Sequence, residues 1–386
     1  MIIQIRFFRL MGLFVVLFFL VQWAHNYQYF LKATFHEFFT PWNFKLPEKG
    51  QNFYVKHSCP RAMQRVIIRA FPEYKVVFAP EAPQFHLSLK EYYTPTYNIH
   101  YAHVPYLAYS GEQENLRWKR YLPSGYPFME ITSHEKKGDN FIFMPYIVYG
   151  KTNLRKLFSE AIIERKNNSV RPLQVAYISS HCIKERNTMF QLLRDRFKDK
   201  AISLGKCLQT PGYEAKGTYF DLKGIYKQYN FGLAMENHDR KGYLTEKIAN
   251  VFEAGSIPIY WGDADLARRF FNPNAFIDIK QYPTFEAAAD AVFEIAQDPI
   301  RLKAFLDAPL FPGNKIPPFL LINDDHLTDE EEKILQDMAA KLRRSYDSYL
   351  KHKQNLKPYW KALEFKELVQ EKLGQILKSI KAFLHL

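Results

Sequence analysis

The stretch that decides the fold of this chain is FGLAMENHDRKGYLTEKIANVFEAGSIPIYWG, residues 231–262. It opens on an apolar run that suits a buried strand, continues through a polar loop, and then shows helical spacing of apolar residues over 246–254. Thr245 is the expected N-cap of this helix, and Gly255 is its expected C-terminal stop. A second apolar run at 257–261 completes a β-loop-α-β unit, which predicts a parallel sheet.

Three cations, Arg240, Lys241 and Lys247, gather in the loop and the first helical turn of this unit. The helix dipole is positive there and disfavours each nearby cation by roughly 0.3–1 kcal/mol. A diphosphate bound at the helix N-terminus would offset that cost, because backbone N–H groups and cations would both donate to it. The alternative is that Glu246 neutralises Lys247 without a ligand. We favour the diphosphate interpretation.

Alternation of strands and helices continues on both sides of this unit. Toward the N-terminus the pattern predicts a helix that ends near Pro72 and strands at 76–78, 85–89, 104–109 and 173–178. Toward the C-terminus it predicts a helix through 266–270. The charged segment 164–171 is the expected linker. The chain is therefore predicted to be α/β, with two Rossmann-like domains, residues 50–165 and 171–345, that face a cleft.

The length of the chain agrees with a folded protein of enzyme size, and its net charge limits the classes of partner. The 386 residues carry a net charge of +13, which favours phosphates, nucleic acid or an anionic membrane surface. Nucleic acid is disfavoured, since the sequence has no basic run interleaved with aromatics and no recognition-module motif. Cys59, Cys182 and Cys207 support neither a disulfide framework nor a zinc site. The last two would lie near the ends of neighbouring strands, where pairing is a hypothesis.

Both ends of the chain carry patterns typical of membrane contact. Residues 1–30 contain an apolar run with basic residues before it and aromatic residues after it, and they are predicted to be an anchor that enters the membrane through residues 10–24. A signal-peptide core and a re-entrant helix are the alternatives, because a span needs roughly 20 apolar residues. Residues 351–386, with eight Lys and three Glu, predict a basic amphipathic tail that contacts lipid through 360–386. A terminal helix packed on the globular body is the alternative.

These motifs resemble those of the family 10 glycosyltransferases, the α1,3/4-fucosyltransferases. In that family a hydrophobic strand is followed by Glu-Asn, a short variable loop and Tyr-x-Thr-Glu-Lys, and later by Pro-x-Tyr-Trp-Gly and Phe-Asn-Pro. The corresponding residues of this chain are Glu236-Asn237, Tyr243 to Lys247, Pro258 to Gly262 and Phe271 to Pro273. The ordered string is much more specific than a single glycine motif.

Shorter similarities extend the resemblance to about residues 173–280. Ser180-His181-Cys182, Arg186-Asn187 and Gly205-Lys206-Cys207 resemble the family's Ser-Asn-Cys, Arg-Asn and Gly-x-Cys. His181 and the loop 238–241 depart from the commonest versions. In the first half, Tyr109-Ser110-Gly111-Glu112 and Met144-Pro145-Tyr146 look like the Tyr-Thr-Gly-Glu and Met-Pro of bacterial members.

The resemblance implies a GT-B architecture and an inverting transfer of L-fucose from GDP-fucose to a hydroxyl of a glycan acceptor, in α1,3 linkage to N-acetylglucosamine. It implies an acceptor-side first domain and a donor-binding second domain, with Glu112 as the general base. Arg186 and Lys247 are the candidates for stabilising the departing GDP. The donor-binding set is Arg186, Asn237, Tyr243, Glu246 and Lys247. No cofactor or metal is expected, and the expected location is the Golgi membrane in a eukaryote or the cytoplasmic face of the inner membrane in a bacterium.

Two rival hypotheses stay open at this point. Asp263-Ala264-Asp265 imitates the D-x-D with which other glycosyltransferases hold a metal and a nucleotide diphosphate, which would make the protein a metal-dependent nucleotide-sugar transferase. Asp263 is equally well placed to cap the next helix. The other rival is a membrane-surface binding protein that retains the fold without catalysis.

Overall fold

A computed structural model describes residues 44–91, 104–110, 128–133, 135, 138–166, 171–215 and 222–355. Within these ranges the first half forms a six-stranded, all-parallel sheet in the order β2-β1-β3-β4-β5-β6. Its strands are β1 (Asn52–Lys56), β2 (Lys75–Ala79), β3 (Leu87–Glu91), β4 (Tyr106–Ser110), β5 (Met129–Thr132) and β6 (Phe141–Phe143). Its helices are α1 (Arg61–Ala70), α2 (Tyr146–Gly150) and α3 (Leu154–Lys166).

The second half forms a five-stranded parallel sheet in the order β11-β10-β9-β7-β8. Its strands are β7 (Leu173–Tyr177), β8 (Ala201–Ser203), β9 (Tyr229–Met235), β10 (Ile257–Trp261) and β11 (Ile277–Asp278). Its helices are α4 (Lys184–Phe197), α5 (Lys223–Tyr226), α6 (Lys247–Glu253), α7 (Ala264–Phe270), α8 (Phe285–Gln297) and α9 (Pro299–Asp307). Two parallel α/β domains of Rossmann type are therefore confirmed.

Strand β9 lies at the centre of the second sheet, and all seven of its residues are buried, as expected for a parallel strand that is covered on both faces. From β7 the chain crosses to β8 on one side, and from β9 it crosses to β10 on the other side. The direction of winding therefore reverses between β7 and β9. Such a reversal opens a crevice at the carboxyl ends of the two strands, where ligands bind in doubly wound sheets.

The expected linker at 164–171 is wrong where the structure describes it. Residues 164–166 complete α3, and the Arg165 side chain donates to the carbonyl of Ser256 over 3.0 Å. Arg171 is also buried, and donates to the carbonyls of Tyr229 and Ala254 over 2.6 and 2.9 Å. These arginines attach the connection to the second domain, so their charge does not mark an exposed, flexible segment.

The last helix among the described residues, α10 (Asp329–Asn355, 27 residues), returns from the second half to pack against α1. Arg69 on α1 binds both carboxylate oxygens of Glu332 at 2.6 Å. Tyr346 is buried against the first sheet, and its hydroxyl donates to the carbonyl of His86 over 2.7 Å. The expected boundaries at 345 and 351 both fall inside this unbroken helix, and its described part completes the first domain.

Most of the two segments expected to contact the membrane lie outside the described residues. This holds for the whole anchor, 1–30, and for the tail beyond residue 355. Among the helices that the structure describes, none combines the length and the apolar character that crossing a bilayer requires.

Candidate active site

A cavity of about 650 Å³ lies at the carboxyl ends of β7, β8 and β9, at the reversal point of the second sheet. The loop after β7 contributes residues 178–181, and the loop after β8 contributes 204–206. Tyr146, from α2 of the first domain, also lines it. Of the candidate site residues, Arg186, Asn237, Glu246 and Lys247 are in the lining. The structure therefore brings four sequence-predicted residues to one cavity.

Arg186 lies in the first turn of α4 and is only 4% exposed. Its Nε and one Nη donate to the Met235 carbonyl at the end of β9 over 2.9 and 2.6 Å, and the same Nη donates to Asn237 Oδ1 over 2.7 Å. Burial lowers the pKa of this guanidinium, while the negative charge of Glu236 opposes that shift. Its bonds to β9 hold Arg186 at the cavity wall, and a bidentate grip on a phosphate would compete with them.

Glu236 is fully buried and organises the loop that leads to Lys247. One of its carboxylate oxygens accepts from the Thr245 amide over 2.8 Å. The other accepts from the Thr245 hydroxyl over 2.7 Å and from Lys247 Nζ over 3.2 Å. The prediction that Thr245 caps the helix is wrong by one residue: Glu246 holds the N-cap position without a side-chain cap, because the Thr245 hydroxyl is bound to Glu236.

The three cations that cluster in the sequence, Arg240, Lys241 and Lys247, have different surroundings in the structure. Arg240 and Lys241 are exposed and do not line the cavity, whereas Lys247 is 23% exposed and does. Its ammonium lies 3.2 Å from Glu236 and 3.9 Å from Glu246. Of the three cations, Lys247 is therefore the one that could meet a diphosphate in the cavity, and two carboxylates already offset its charge without a ligand.

The structure removes Tyr243 from the cavity lining and adds Asn250, which the sequence analysis did not identify. Tyr243, predicted to contact the donor, is fully buried and does not line the cavity. Asn250, one helical turn beyond Glu246 on α6, does line it. Asn250 lies three residues after Lys247 and four after Glu246, and this helical spacing is a signal that could have identified it.

Asp263 and Asp265 have separate partners within the described residues. Asp263 caps α7 by accepting from the Leu266 amide over 3.1 Å, which confirms the capping alternative, and it also accepts from the Gly242 amide over 2.5 Å. Asp265 is 90% exposed and pairs with Arg268 at 3.0 Å. The described residues hold no cluster of three or more His, Cys, Asp or Glu side chains suited to a metal ion. Their partners give Asp263 and Asp265 structural roles.

Gly242 is required where the two domains meet. Its φ of +83° is in the left-handed region that favours glycine, and a Cβ there would lie 2.8 Å from the backbone nitrogen of Glu135. Its carbonyl accepts from the Glu135 amide over 3.0 Å. Arg269 on α7 binds the Glu135 carboxylate at 2.9 Å. The loop that leads to Lys247 is thus attached to the first domain as well as to Asp263.

Cys182 and Cys207 form a disulfide, in agreement with the pairing hypothesis. It joins the loops after β7 and β8, which together form one wall of the cavity. Gly205 lets these loops approach, because a Cβ at that position would lie 2.3 Å from the Ser179 carbonyl oxygen. Cys59 is a buried thiol, and burial raises its pKa to about 12. Glu112, the expected base, lies outside the described residues, two positions after the end of β4.

Comparison with known proteins shows which family the second domain resembles. Residues 167–307 match the family model described as glycosyltransferase family 10 (fucosyltransferase) C-term. An α-(1,3)-fucosyltransferase of Helicobacter pylori is 33% identical over 106 residues, covering 26% of this chain and 21% of the relative. An α-(1,4)-fucosyltransferase of Arabidopsis thaliana is 26% identical over 199 residues, covering 45% and 48%. The chain thus spans less than half the length of these curated relatives.

Solved structures extend the likeness to the whole fold. An α1,3-fucosyltransferase with GDP-fucose superposes with a TM-score of 0.53 at 18% identity, covering 83% of this chain and 97% of the other. The structure with GDP gives a TM-score of 0.54 at 17% identity, with the same coverage. At such identities the likeness shows a shared two-domain fold. The family match covers residues 167–307, so the part of the chain that carries the cavity is similar to glycosyltransferase family 10, the fucosyltransferases.

Proposed function

We propose that this protein transfers L-fucose from GDP-fucose to a hydroxyl group of a glycan acceptor. The observation that carries the proposal is that a domain of the fucosyltransferase family holds Arg186 and Lys247 at a cavity on the reversal point of its sheet. The two curated relatives are fucosyltransferases, and one solved structure of the same fold contains GDP-fucose. By this analogy the second domain binds the donor and the first domain presents the acceptor, for which we propose N-acetylglucosamine in α1,3 linkage.

The proposed reaction is one displacement with inversion at the anomeric carbon. The acceptor oxygen forms a bond to that carbon as the bond to the diphosphate oxygen breaks on the opposite face. Glu112 takes the proton of the acceptor hydroxyl, a role that a carboxylate fills as a general base. The leaving diphosphate retains the electron pair of the broken bond, so it gains negative charge.

Two cations at the cavity would stabilise that charge. Lys247 offers a flexible ammonium, and Arg186 offers a guanidinium that is already oriented by the Met235 carbonyl and Asn237. Glu246 and Asn250 line the same cavity and are proposed to bind neutral donor hydroxyls. Tyr243 would act through the packing of the loop, since it is buried away from the cavity. The proposed chemistry needs no divalent ion.

The partners proposed outside the cavity are a membrane surface and the acceptor glycan. Residues 10–24 and 360–386 are the proposed membrane contacts, on the sequence patterns given above. A Golgi membrane is proposed for a eukaryotic host and the cytoplasmic face of the inner membrane for a bacterial host.

Incubation with N-acetyllactosamine and a panel of nucleotide sugars should give transfer from GDP-fucose that persists in excess EDTA. The reason is that cationic side chains supply the leaving-group stabilisation. Mass spectrometry of the acceptor measures the added deoxyhexose. Absolute dependence on manganese, or a preference for a UDP-sugar, would contradict the proposal and favour the metal-dependent alternative.

The Glu112→Gln variant should lose roughly a hundredfold in transfer rate, because the amide cannot accept the acceptor proton. GDP binding should be unchanged, since the base acts on the acceptor side of the cleft. Glu81→Gln, which alters an exposed carboxylate of the same domain, is the control. Unchanged fucose transfer by Glu112→Gln would show that another group is the base.

A further inference from the structure

Tyr260, near the end of β10, carries a buried hydroxyl beside the loop that holds Lys247. The residue is 0% exposed, and its hydroxyl has no hydrogen-bond partner among the residues that the structure describes. Burying a hydroxyl without a partner is costly, and such groups are uncommon in native proteins. A group of this kind is best explained by a partner that it gains in another state of the protein.

The Glu236 carboxylate is the acceptor that the geometry offers. Tyr260 and Glu236 border the same point beside Gly262, where an added Cβ would lie 2.7 Å from the Tyr260 hydroxyl oxygen and 2.8 Å from Glu236 Cγ. Burial, reinforced by the charge of Glu236, raises the pKa of Tyr260 well above its ordinary value. The hydroxyl therefore keeps its proton at neutral pH and can only act as a neutral donor or acceptor.

Donor binding would remove one of the groups that donate hydrogen bonds to the Glu236 carboxylate. In this structure its second oxygen accepts from the Thr245 hydroxyl at 2.7 Å and, at the longer distance of 3.2 Å, from Lys247. Lys247 also lines the cavity, so a diphosphate bound there attracts its ammonium away from Glu236. A fully buried carboxylate that loses its cation is strongly destabilised unless another donor replaces it.

We propose that Tyr260 is a positioning residue that replaces Lys247 at the Glu236 carboxylate when a nucleoside diphosphate binds. Its hydroxyl then donates to the oxygen that Lys247 leaves, no covalent bond changes, and both charges are conserved. The exchange releases Lys247 to the diphosphate without leaving Glu236 short of a donor. This inference rests on the proposed function, because it requires a diphosphate in the cavity.

The Tyr260→Phe variant tests the exchange, because it should weaken the binding of GDP without lowering the stability of the free protein. The free protein should melt at the same temperature as the wild type or higher, because the lost hydroxyl has no partner there. The dissociation constant for GDP, measured by calorimetry, should rise about tenfold, the effect expected for one hydrogen bond to a charged group. Tyr346→Phe is the matched control: it loses a bound hydroxyl, so it should lower the melting temperature and leave GDP affinity unchanged.

A second arm uses the Lys247→Met background, where Glu236 has no lysine and Tyr260 should already donate to it. There, Tyr260→Phe should lower the melting temperature of the free protein, although it does not do so in the wild type. Two results would overturn the inference and leave the proposed function unaffected. One is an equal change in melting temperature from Tyr260→Phe in both backgrounds. The other is that the wild type binds GDP and Tyr260→Phe does not change that affinity. A wild type that does not bind GDP would refute the proposed function itself, and the melting temperatures would still test the coupling.

Discussion

Replacing Lys247 with methionine should lower the kcat for fucose transfer by about 10²–10³-fold, the effect of removing one group that stabilises transition-state charge in an enclosed site. Lys247 is the cation that the structure assigns both to the cavity and to the loop network of Glu236. Methionine keeps the length and the apolar stem of the side chain while removing its charge. The loss should appear mainly in kcat, because negative charge on the diphosphate increases as the bond to fucose breaks.

Lys241→Met is the control for this prediction. The same substitution six residues earlier removes an exposed charge that does not line the cavity, so kcat should stay close to that of the wild type. Steady-state rates with GDP-fucose measure both variants. The assignment of Lys247 would be wrong if its methionine variant turned over within a few-fold of the wild type.

Replacing Lys151 with methionine should lower the free energy of unfolding by about 3–5 kcal/mol, the usual effect of removing one partner from a buried ion pair. Lys151 follows α2, and it pairs at 2.5 Å with Glu253, the last residue of α6. The two side chains are 4% and 3% exposed. Glu253 also lies at the negative end of the α6 dipole. Without the lysine, its carboxylate would be a buried charge without that partner and would still face the negative end of the helix, and both effects are destabilising.

Urea unfolding, followed by tryptophan fluorescence, measures this effect. The double variant Lys151→Met with Glu253→Gln should recover much of the lost stability, because it removes the unpaired charge. Lys223→Met breaks a more exposed pair with Glu160, and it should lower the free energy of unfolding much less than Lys151→Met does. Equal losses from the Lys151 and Lys223 variants would contradict the assignment of the Lys151 pair as a buried contact between the domains.

The strands and the helix of residues 231–262 were predictable because the residues within each element largely determine its conformation. Strand 257–261 agrees with the predicted run, and α6 differs from its prediction by one residue at each end. Gly255, with φ of +69°, ends that helix as predicted. The cavity of the second domain was predictable for the same reason, since strands with continuous apolar runs are central in a parallel sheet and their carboxyl ends meet at one edge.

Contacts between distant parts of the chain were not predictable in this way. Thr245 has the chemistry of a helix cap, but Glu236, nine residues earlier, takes its hydroxyl. Arg165 and Arg171 look like solvent-exposed linker charges, yet both donate to backbone carbonyls, which leave no trace in a sequence. The return of α10 to α1 depends on pairs such as Arg69 with Glu332, separated by 263 residues.

The position of α10 also bears on the order in which the protein is made. Residues 329–355 complete the first domain, so its core contains Tyr346 and Leu350 from a helix that leaves the ribosome long after β1–β6. The second sheet, by contrast, is continuous from β7 to β11 and can close as soon as it emerges. Domains generally fold in N-terminal to C-terminal order during synthesis. In this protein the second domain should finish folding first, because the core of the first domain is incomplete until α10 has been synthesised.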